Sequence, residues 1–266
     1  PHRAGTLCEK QLGEANPTTT GKEEQHNWSL QQMSKNDFIK ALTSDQPFIP
    51  AYFSFNVELN KKGAPNFMDS VNTVPIIQDR PSDQAHIWII DSRNEQAYKA
   101  NHQTNSINLM VGTKFETWLG SIIKPGEEFY LRAEDKTSLV QLIARTASIG
   151  YEQQLKGGYF NSLGSENMDS FDLEYFKSNE KDYTILDVRN GSEIKNQKIF
   201  ARSIAIPLGE LRDRLSEIPT DKPIAVHCAG GYRSAAASSM IKSALNAKIK
   251  VVDIGESIKE FAKEGI

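Results

Sequence analysis

The sequence predicts an α/β protein in which two similar domains, each built on a parallel sheet, follow one another. Short apolar runs with few charges alternate with segments of helical pattern, which is typical of strands buried on both faces of such a sheet. A run that ends in Asp91 recurs at an offset of 96 residues, ending in Asp187. The 266 residues, 38% of them hydrophobic, are enough for two domains with cores of their own.

Four runs rich in β-branched residues are predicted to be strands, namely 87–90, 184–186, 224–226 and 249–252. Two segments in corresponding places are predicted to be helices, 136–149, which Gly150 would close, and 234–245. Ligands of parallel sheets bind beyond the carboxyl ends of the strands. Asp187 and Cys228 both fall at that edge, so we expect the functional site there.

Three segments are expected along the chain, 1–79, 80–162 and 163–266. The join between the two α/β domains is placed at the polar stretch 161–168, whose composition is typical of a linker. The first segment has no core pattern of its own, although Ser34 followed by Asp37 predicts a short helix that reaches Leu42. The chain begins with Pro1 rather than Met, so we expect a piece of a longer polypeptide that starts within an interrupted domain.

Charge and cysteine content argue against several classes of function. The formal net charge is -3 with both signs mixed along the chain, so we expect no nucleic-acid partner and no polybasic membrane anchor. No apolar run approaches the roughly 20 residues that span a bilayer. The two cysteines, Cys8 and Cys228, lie far apart and do not suggest a disulfide framework, and we expect a reducing, cytoplasmic location.

The loop after the predicted strand 224–226 carries the chemistry. Its residues are Cys228, Ala229, Gly230, Gly231, Tyr232, Arg233 and Ser234, and they lead into an alanine-rich helix. Glycines let the backbone curl until its amide N–H groups converge, and the helix N-terminus adds partial positive charge. Such a nest stabilises an anion, here the thiolate of Cys228 and afterwards its persulfide. Cys228 is therefore predicted to be a nucleophile. An inert core cysteine is disfavoured because two glycines and a charged residue follow it.

Several neighbouring side chains have more than one interpretation. Arg233 either contacts an anionic sulfur donor or braces the loop through a carboxylate such as Asp187. A structural pair at the strand end is favoured for Asp187 and Arg189 over a direct role. Tyr232 either lines the mouth of the pocket or packs the loop. His227 is disfavoured as a catalytic base because neighbours on a strand point to opposite faces.

The first domain lacks the nucleophile. At the same offset of 96 residues Arg132 takes the position of Cys228, and Ala133, Glu134 and Asp135 follow it. Two acidic residues in place of glycines would repel an anion and remove the conformational freedom that the nest requires. This copy is therefore predicted to be catalytically silent and to serve packing or docking.

The loop and two further motifs resemble the rhodanese family. Members carry Asp-Val-Arg at the end of an early strand, here Asp187-Val188-Arg189, and Ile-Pro-Leu before the next helix, here Ile206-Pro207-Leu208. The resemblance implies two tandem rhodanese-like domains, the second of them active. It also implies a sulfurtransferase in which Cys228 takes sulfane sulfur from thiosulfate or a low-molecular-weight persulfide and passes it to a thiol or another thiophilic acceptor.

Two other functions stay open on the same residues. Dual-specificity phosphatases of the same fold have one residue more between Cys and Arg, whereas four residues separate Cys228 from Arg233 here. The smaller ring fits a single sulfane sulfur, so a phosphatase is the less favoured interpretation. A sulfur-relay or persulfide-sensing module that docks to a partner through the silent copy, without turnover, is the main alternative.

The opening of the chain, 1–8, together with 48–50 and 60–65, resembles the tail of metallo-β-lactamase-fold persulfide dioxygenases that are fused to two rhodanese modules. This resemblance implies an incomplete metallo-β-lactamase-fold tail before the two domains, an upstream iron-containing dioxygenase domain in the same polypeptide, and a role in sulfide detoxification. Cys8 is then favoured as a packing residue, and His2 as a neighbour of the former metal site. No metal and no cofactor are expected in this chain, because its five histidines show no ligand spacing: His2, His26, His86, His102 and His227.

Overall fold

The computed structural model describes residues 19–44, 48–162, 164–245 and 249–262, which fall into two units divided after Ile49. The first unit contains helices α1 (Thr20–His26) and α2 (Lys35–Thr43). The Ser34 hydroxyl accepts a hydrogen bond from the Asp37 N–H, which confirms the predicted start of α2. Across the described ranges, no helix is both long and apolar enough to cross a membrane.

The second unit contains two four-stranded sheets whose strands all run parallel. The first sheet has the order β2-β1-β3-β4 and consists of β1 (Trp88–Asp91), β2 (Ser106–Asn108), β3 (Phe129–Arg132) and β4 (Leu155–Tyr159). The second has the order β6-β5-β7-β8 and consists of β5 (Thr184–Asp187), β6 (Ile204–Ala205), β7 (Ile224–His227) and β8 (Val251–Asp253). The two sheets share one topology, and the predicted α/β class is confirmed.

Helices flank both sheets in this unit. Those before and around the first sheet are α3 (Tyr52–Lys62), α4 (Phe67–Thr73), α5 (Glu95–Ala100), α6 (Phe115–Ile122) and α7 (Lys136–Ala147). Those around the second are α8 (Leu173–Ser178), α9 (Gly191–Asn196), α10 (Tyr232–Ala244) and α11 (Ile258–Ala262). Helix α10 begins two residues before the predicted Ser234, because the loop already ends at Gly231.

One hydrophobic core joins the two sheets through helix α10. This helix contacts β7 and β8 of its own sheet and also β2 of the first sheet. Its small alanine and serine side chains allow close approach, and the Ser239 hydroxyl accepts a hydrogen bond from the Asn108 N–H of β2 at 2.9 Å. Buried Leu109 and Leu186, one from each half, belong to the same cluster. The helix that follows the Cys228 loop is therefore packed against strands of both sheets.

Residues 50–79, which were predicted to belong with 1–49, pack on the first domain. Tyr52 is buried over Gly120, where a Cβ atom would lie 2.1 Å from the tyrosine ring. Backbone hydrogen bonds at 75–77 join Gly158 and cover the edge of β4. An otherwise open strand edge is thereby protected.

The stretch 161–168, where the linker was expected, is bonded to the end of α5. His102 and Glu166 exchange two backbone hydrogen bonds of 2.9 Å. The Asn101 side chain both donates to and accepts from the backbone of Gly164. The described residues of this stretch are therefore held against the first domain.

Candidate active site

Cys228 directly follows β7 at the carboxyl edge of the second sheet, and its side chain is only 1% exposed. The sulfur accepts a hydrogen bond from the Gly231 N–H at 3.2 Å. The thiol also donates to the Ser234 hydroxyl, with the sulfur 3.6 Å from Oγ, and that hydroxyl donates to the Gly231 carbonyl at 3.0 Å. One backbone amide and one hydroxyl thus hold the sulfur at the start of α10.

The backbone of the loop favours negative charge at this point. Ala229 and Gly230 form its exposed part, and Gly231 ends it as the N-cap of α10 with φ of 96°, a conformation that L side chains rarely adopt. The first bond within the helix runs from the Ala235 N–H to the Gly231 carbonyl. The N–H groups of the first three helical residues, beginning with Tyr232, therefore have no carbonyl partner within the helix, and they contribute partial positive charge.

Arg233 braces the loop through Glu193. The prediction that a carboxylate such as Asp187 would be its partner was wrong in the choice of residue. The two terminal nitrogens of Arg233 donate to the two carboxylate oxygens of Glu193 at 2.5 and 2.8 Å, and the guanidinium carbon lies 5.9 Å from the centre of the Trp118 ring. Burial alone would raise the pKa of Glu193, but the hydrogen bonds and charge of Arg233 outweigh it and lower that pKa. Contact of Arg233 with an anionic donor stays a prediction.

Glu193 is a neighbour of the Cys228 loop that the sequence did not indicate. It lies in the first turn of α9, where the Asn190 N–H donates to its carboxylate at 3.1 Å in a capping box. The spacing of Asn190 and Glu193 was the signal that could have indicated a fixed carboxylate here. It gave no indication of Arg233 as the partner, since that contact spans 40 residues.

Asp187 is unavailable to Arg233 because Arg189 already engages it. The Arg189 side chain donates from Nε to Oδ1 at 3.0 Å and from its terminal nitrogen to Oδ2 at 2.6 Å. The same terminal nitrogen donates to the Gln197 carbonyl at 2.8 Å. Arg93 binds Asp91 in the same way in the first copy. Asp187 and Arg189 thus form a structural pair at the end of the strand, the interpretation that the sequence favoured.

His227 lies on the other face of β7 from the sulfur. Its fully buried ring packs edge-on against Phe200, with ring centroids 5.0 Å apart. The nearest carboxylate oxygen, Oδ2 of Asp187, is 3.7 Å from Nε2, too far for a hydrogen bond. Burial lowers the pKa of His227 to about 4, although the charge of Asp187 opposes this. The imidazole is therefore neutral near pH 7.

Buried His227 predicts a loss of stability in acid. Between its ordinary pKa of 6.5 in the unfolded chain and about 4 in the folded protein, the unfolded chain binds a proton that the folded protein excludes. The free energy of unfolding should therefore be highest above pH 6.5 and fall by about 3 kcal/mol as the pH approaches 4. Urea unfolding at several pH values should show this fall in the wild type and a smaller one in His227→Gln. Exposed His86→Gln is the control, and equal falls in all three proteins would contradict the prediction.

Tyr232 packs the Cys228 loop against the first copy. Its hydroxyl donates to the Met110 carbonyl at 2.8 Å. Its ring lies over Gly112, where a Cβ atom would come within 3.1 Å. Burial raises the pKa of Tyr232, so the phenol stays protonated as a donor. These contacts support the interpretation that Tyr232 packs the loop over the interpretation that it lines the mouth of the pocket.

The strand registers correct the predicted counterpart of the nucleophile in the first copy. Asp91 pairs with Arg132 across the ladder, as Asp187 pairs with His227. The offset between copies is thus 96 residues at the aspartates but 95 at Arg132 and His227. Arg132 corresponds to His227, and buried Ala133 takes the position of the cysteine. The assignment of Arg132 to that position was wrong.

The loop of the first copy is also one residue shorter. Three residues, 133–135, separate β3 from α7, whereas four, 228–231, separate β7 from α10. The Asp135 carboxylate accepts a hydrogen bond from the Ser138 N–H at 2.8 Å and so occupies the helix N-terminus. Arg132 pairs with Asp91 at 3.2 Å and donates to the Ser162 carbonyl. This copy has neither the thiol nor the free helix N-terminus that the second copy presents.

Comparison with known proteins gave matches to rhodanese-related proteins and a match to a metallo-beta-lactamase. Residues 172–264 match the family described as Rhodanese-like domain. The "Putative sulfur carrier protein YrkF" of Bacillus subtilis is 31% identical over 147 residues, which cover 49% of this chain and 79% of that protein. A crystal structure of a rhodanese-related protein from Thermoplasma volcanium is 36% identical, with a TM-score of 0.31, over 36% of this chain and 92% of that one.

A crystal structure of a metallo-beta-lactamase from Staphylococcus aureus is 23% identical with a TM-score of 0.47. The match covers 60% of this chain and 44% of that one, so this chain spans less than half of that protein. The resemblance of residues 1–79 to a dioxygenase tail stays a prediction, and His2 and Cys8 lie outside the described residues. Within the described ranges, no group of three or more His, Cys, Asp or Glu side chains has an arrangement that would hold a metal ion.

Proposed function

Because the chain belongs to the rhodanese-like family, we propose that it is a sulfurtransferase that carries sulfane sulfur on Cys228. The observation that carries this proposal is the position of the sulfur, bonded to the Gly231 N–H and the Ser234 hydroxyl at the start of a 13-residue helix. A thiolate and a terminal persulfide sulfur are both anions, so the Gly231 N–H and the same helix end would stabilise both.

In the proposed first step, the Cys228 thiolate attacks the outer sulfur of thiosulfate or of a low-molecular-weight persulfide. The S–S bond of the donor breaks, sulfite or a thiolate leaves, and the Cys228 persulfide forms. In the second step a thiol or cyanide attacks the outer sulfur, a new persulfide or thiocyanate leaves, and the thiolate returns. Each step exchanges one bond at sulfur, so the cycle needs no external oxidant and no base once the thiolate has formed.

A second function is supported by the name of the relative YrkF. A sulfur carrier would accept sulfur on Cys228 and release it to a docked protein, without turnover on small thiols. For either function we propose a role in sulfide and persulfide metabolism in the cytoplasm, with an iron-containing dioxygenase domain in the same polypeptide. Thiol acceptors and small sulfur donors are then the partners, and nucleic acid and membranes are not.

The test is to treat the full chain with thiosulfate or with a small-molecule persulfide. Mass spectrometry should show the gain of one sulfur atom at Cys228, because both donors present a sulfane sulfur to the same thiolate. Repeated turnover with cyanide or a small thiol would establish the transferase, whereas a stable adduct without turnover would establish the carrier. If no donor modifies Cys228, both proposals fail. Release of phosphate from an aryl phosphate would establish a phosphatase instead.

A further inference from the structure

We propose that Lys99, a residue of the silent first copy, is a positioning residue for the Cys228 loop of the second copy. It acts through Asp253 and through Gly255, the glycine against which the loop lies. The inference rests on the proposed function for the reaction that the loop performs. The contacts that carry it are independent of the identity of the sulfur donor.

The first contact is an ion pair between the two copies. The Lys99 ammonium lies 2.9 Å from Oδ2 of Asp253 and 3.2 Å from Oε2 of Glu95, its neighbour on α5. The Asp253 side chain is fully buried at the end of β8, and a buried carboxylate is costly unless a cation compensates it. Burial would lower the pKa of Lys99, but the charges of Asp253 and Glu95 outweigh it, so the ammonium keeps its proton.

The second contact fixes a tight turn. The other carboxylate oxygen of Asp253, Oδ1, accepts a hydrogen bond from the Gly255 N–H at 2.9 Å. Gly255 has φ of 59°, in the left-handed region that favours glycine. A Cβ atom at this position would lie 3.6 Å from Oε2 of Glu95 and 3.9 Å from Nζ of Lys99. The ion pair and the turn are thus packed together, and Asp253 links them.

The third contact reaches the nucleophile. Gly231 lies against the turn, since a Cβ atom there would come within 3.4 Å of the Gly255 carbonyl carbon and 3.5 Å of the Glu256 nitrogen. The N–H of Gly231 is the amide that donates to the Cys228 sulfur. A displacement of the Gly255 turn would therefore move this amide. Loss of the ammonium would also leave an uncompensated negative charge behind a loop that must stabilise a thiolate.

The test is the rate at which iodoacetamide alkylates Cys228, measured by peptide mass spectrometry as a function of pH. Lys99→Met should lower this rate at pH 7 by about fivefold and move the profile to higher pH, because the negative charge of Asp253 is then uncompensated. Lys99→Arg should restore the wild-type profile. The double variant Lys99→Met with Asp253→Asn should also restore it, since the asparagine oxygen still accepts from the Gly255 N–H and carries no charge.

Arg212→Met is the matched control, because it removes another cation that joins the two copies. Arg212 binds Glu127 at 2.7 Å and lies over the ring of Trp88, at the amino end of β1 and away from the loop. Its alkylation profile should match that of the wild type even where its melting temperature is lower. An equal shift in Arg212→Met and Lys99→Met would overturn the positioning role, since both variants would then act by loosening the contact between copies.

Two further results would overturn the proposal. One is a Lys99→Met profile identical to that of the wild type, and the other is a double variant as impaired as Lys99→Met alone. If Lys99→Met does not fold, Lys99→Gln decides, because its amide can still donate to Asp253 but carries no charge, and its profile should move to higher pH. Alkylation requires no sulfur donor, so it reports on positioning even where wild-type Cys228 takes no sulfur and the proposed function fails.

Discussion

Cys228→Ser should abolish sulfur transfer while the fold stays intact. We expect a loss of at least about a thousandfold, because a serine hydroxyl remains protonated near neutral pH and cannot carry sulfane sulfur. The hydroxyl is close to the thiol in shape, and it can keep the bonds to the Gly231 N–H and the Ser234 hydroxyl. Thiocyanate formation from thiosulfate and cyanide measures the activity, and circular dichroism and the melting temperature measure the fold.

Cys8→Ser is the control for that experiment, because Cys8 is the other cysteine of the chain. It should keep full activity and should still gain one sulfur atom at Cys228 after treatment with a donor. Sulfur transfer that survives in Cys228→Ser, or disappears in Cys8→Ser, would contradict the assignment of the nucleophile.

Glu193→Gln should have the second largest effect, because it removes the carboxylate from the buried guanidinium of Arg233. The Arg233 side chain is 13% exposed and that of Glu193 is 35% exposed. We expect the free energy of unfolding to fall by about 2 kcal/mol, less than for a fully buried pair. Sulfur transfer should fall about tenfold or more, since Arg233 lies in the first turn of α10, directly after the loop that shapes the anion site. Urea unfolding and steady-state kinetics on the same preparation measure both quantities.

The matched control for that pair is Glu217→Gln, which disrupts an ion pair with Arg214 on the protein surface. Both side chains of that pair are at least one third exposed, so its loss should leave both the free energy of unfolding and the activity nearly unchanged. If Glu193→Gln behaves like Glu217→Gln in both assays, the bracing role of the Glu193–Arg233 pair is refuted.

The sequence predicted the parts of this protein that local patterns determine. The β-branched runs indicated β5 and β7 within one residue of their ends, because strands buried on both faces must be apolar throughout. The glycines after Cys228 predicted that the backbone curls there, and Gly231 has φ of 96°, which other residues rarely adopt. These features depend on residues that are close together in the chain.

Features that depend on distant contacts were missed or assigned wrongly. The offset of the copies changes from 96 to 95 residues between the first and the third strand, and only the pairing of Asp91 with Arg132 reveals the change. Sequence spacing alone could not distinguish Arg132 from Ala133 as the counterpart of the cysteine. The partners of Arg233 and Tyr232 lie 40 and 122 residues away, and no local pattern encodes how the two copies dock.

The position of α10 between the two sheets has a consequence for which substitutions the silent copy tolerates. In its short loop, 133–135, only Glu134 is exposed without capping α7, so changes at that residue should have little effect on the second copy. Strand β2 has no such freedom, because α10 packs on it and Ser239 binds its backbone. A bulky residue introduced on the face of β2 that meets α10 would act on the nucleophile at a distance. The residues of β2 that face α10 should therefore be limited to side chains that let the helix pack, although they belong to the copy without the nucleophile.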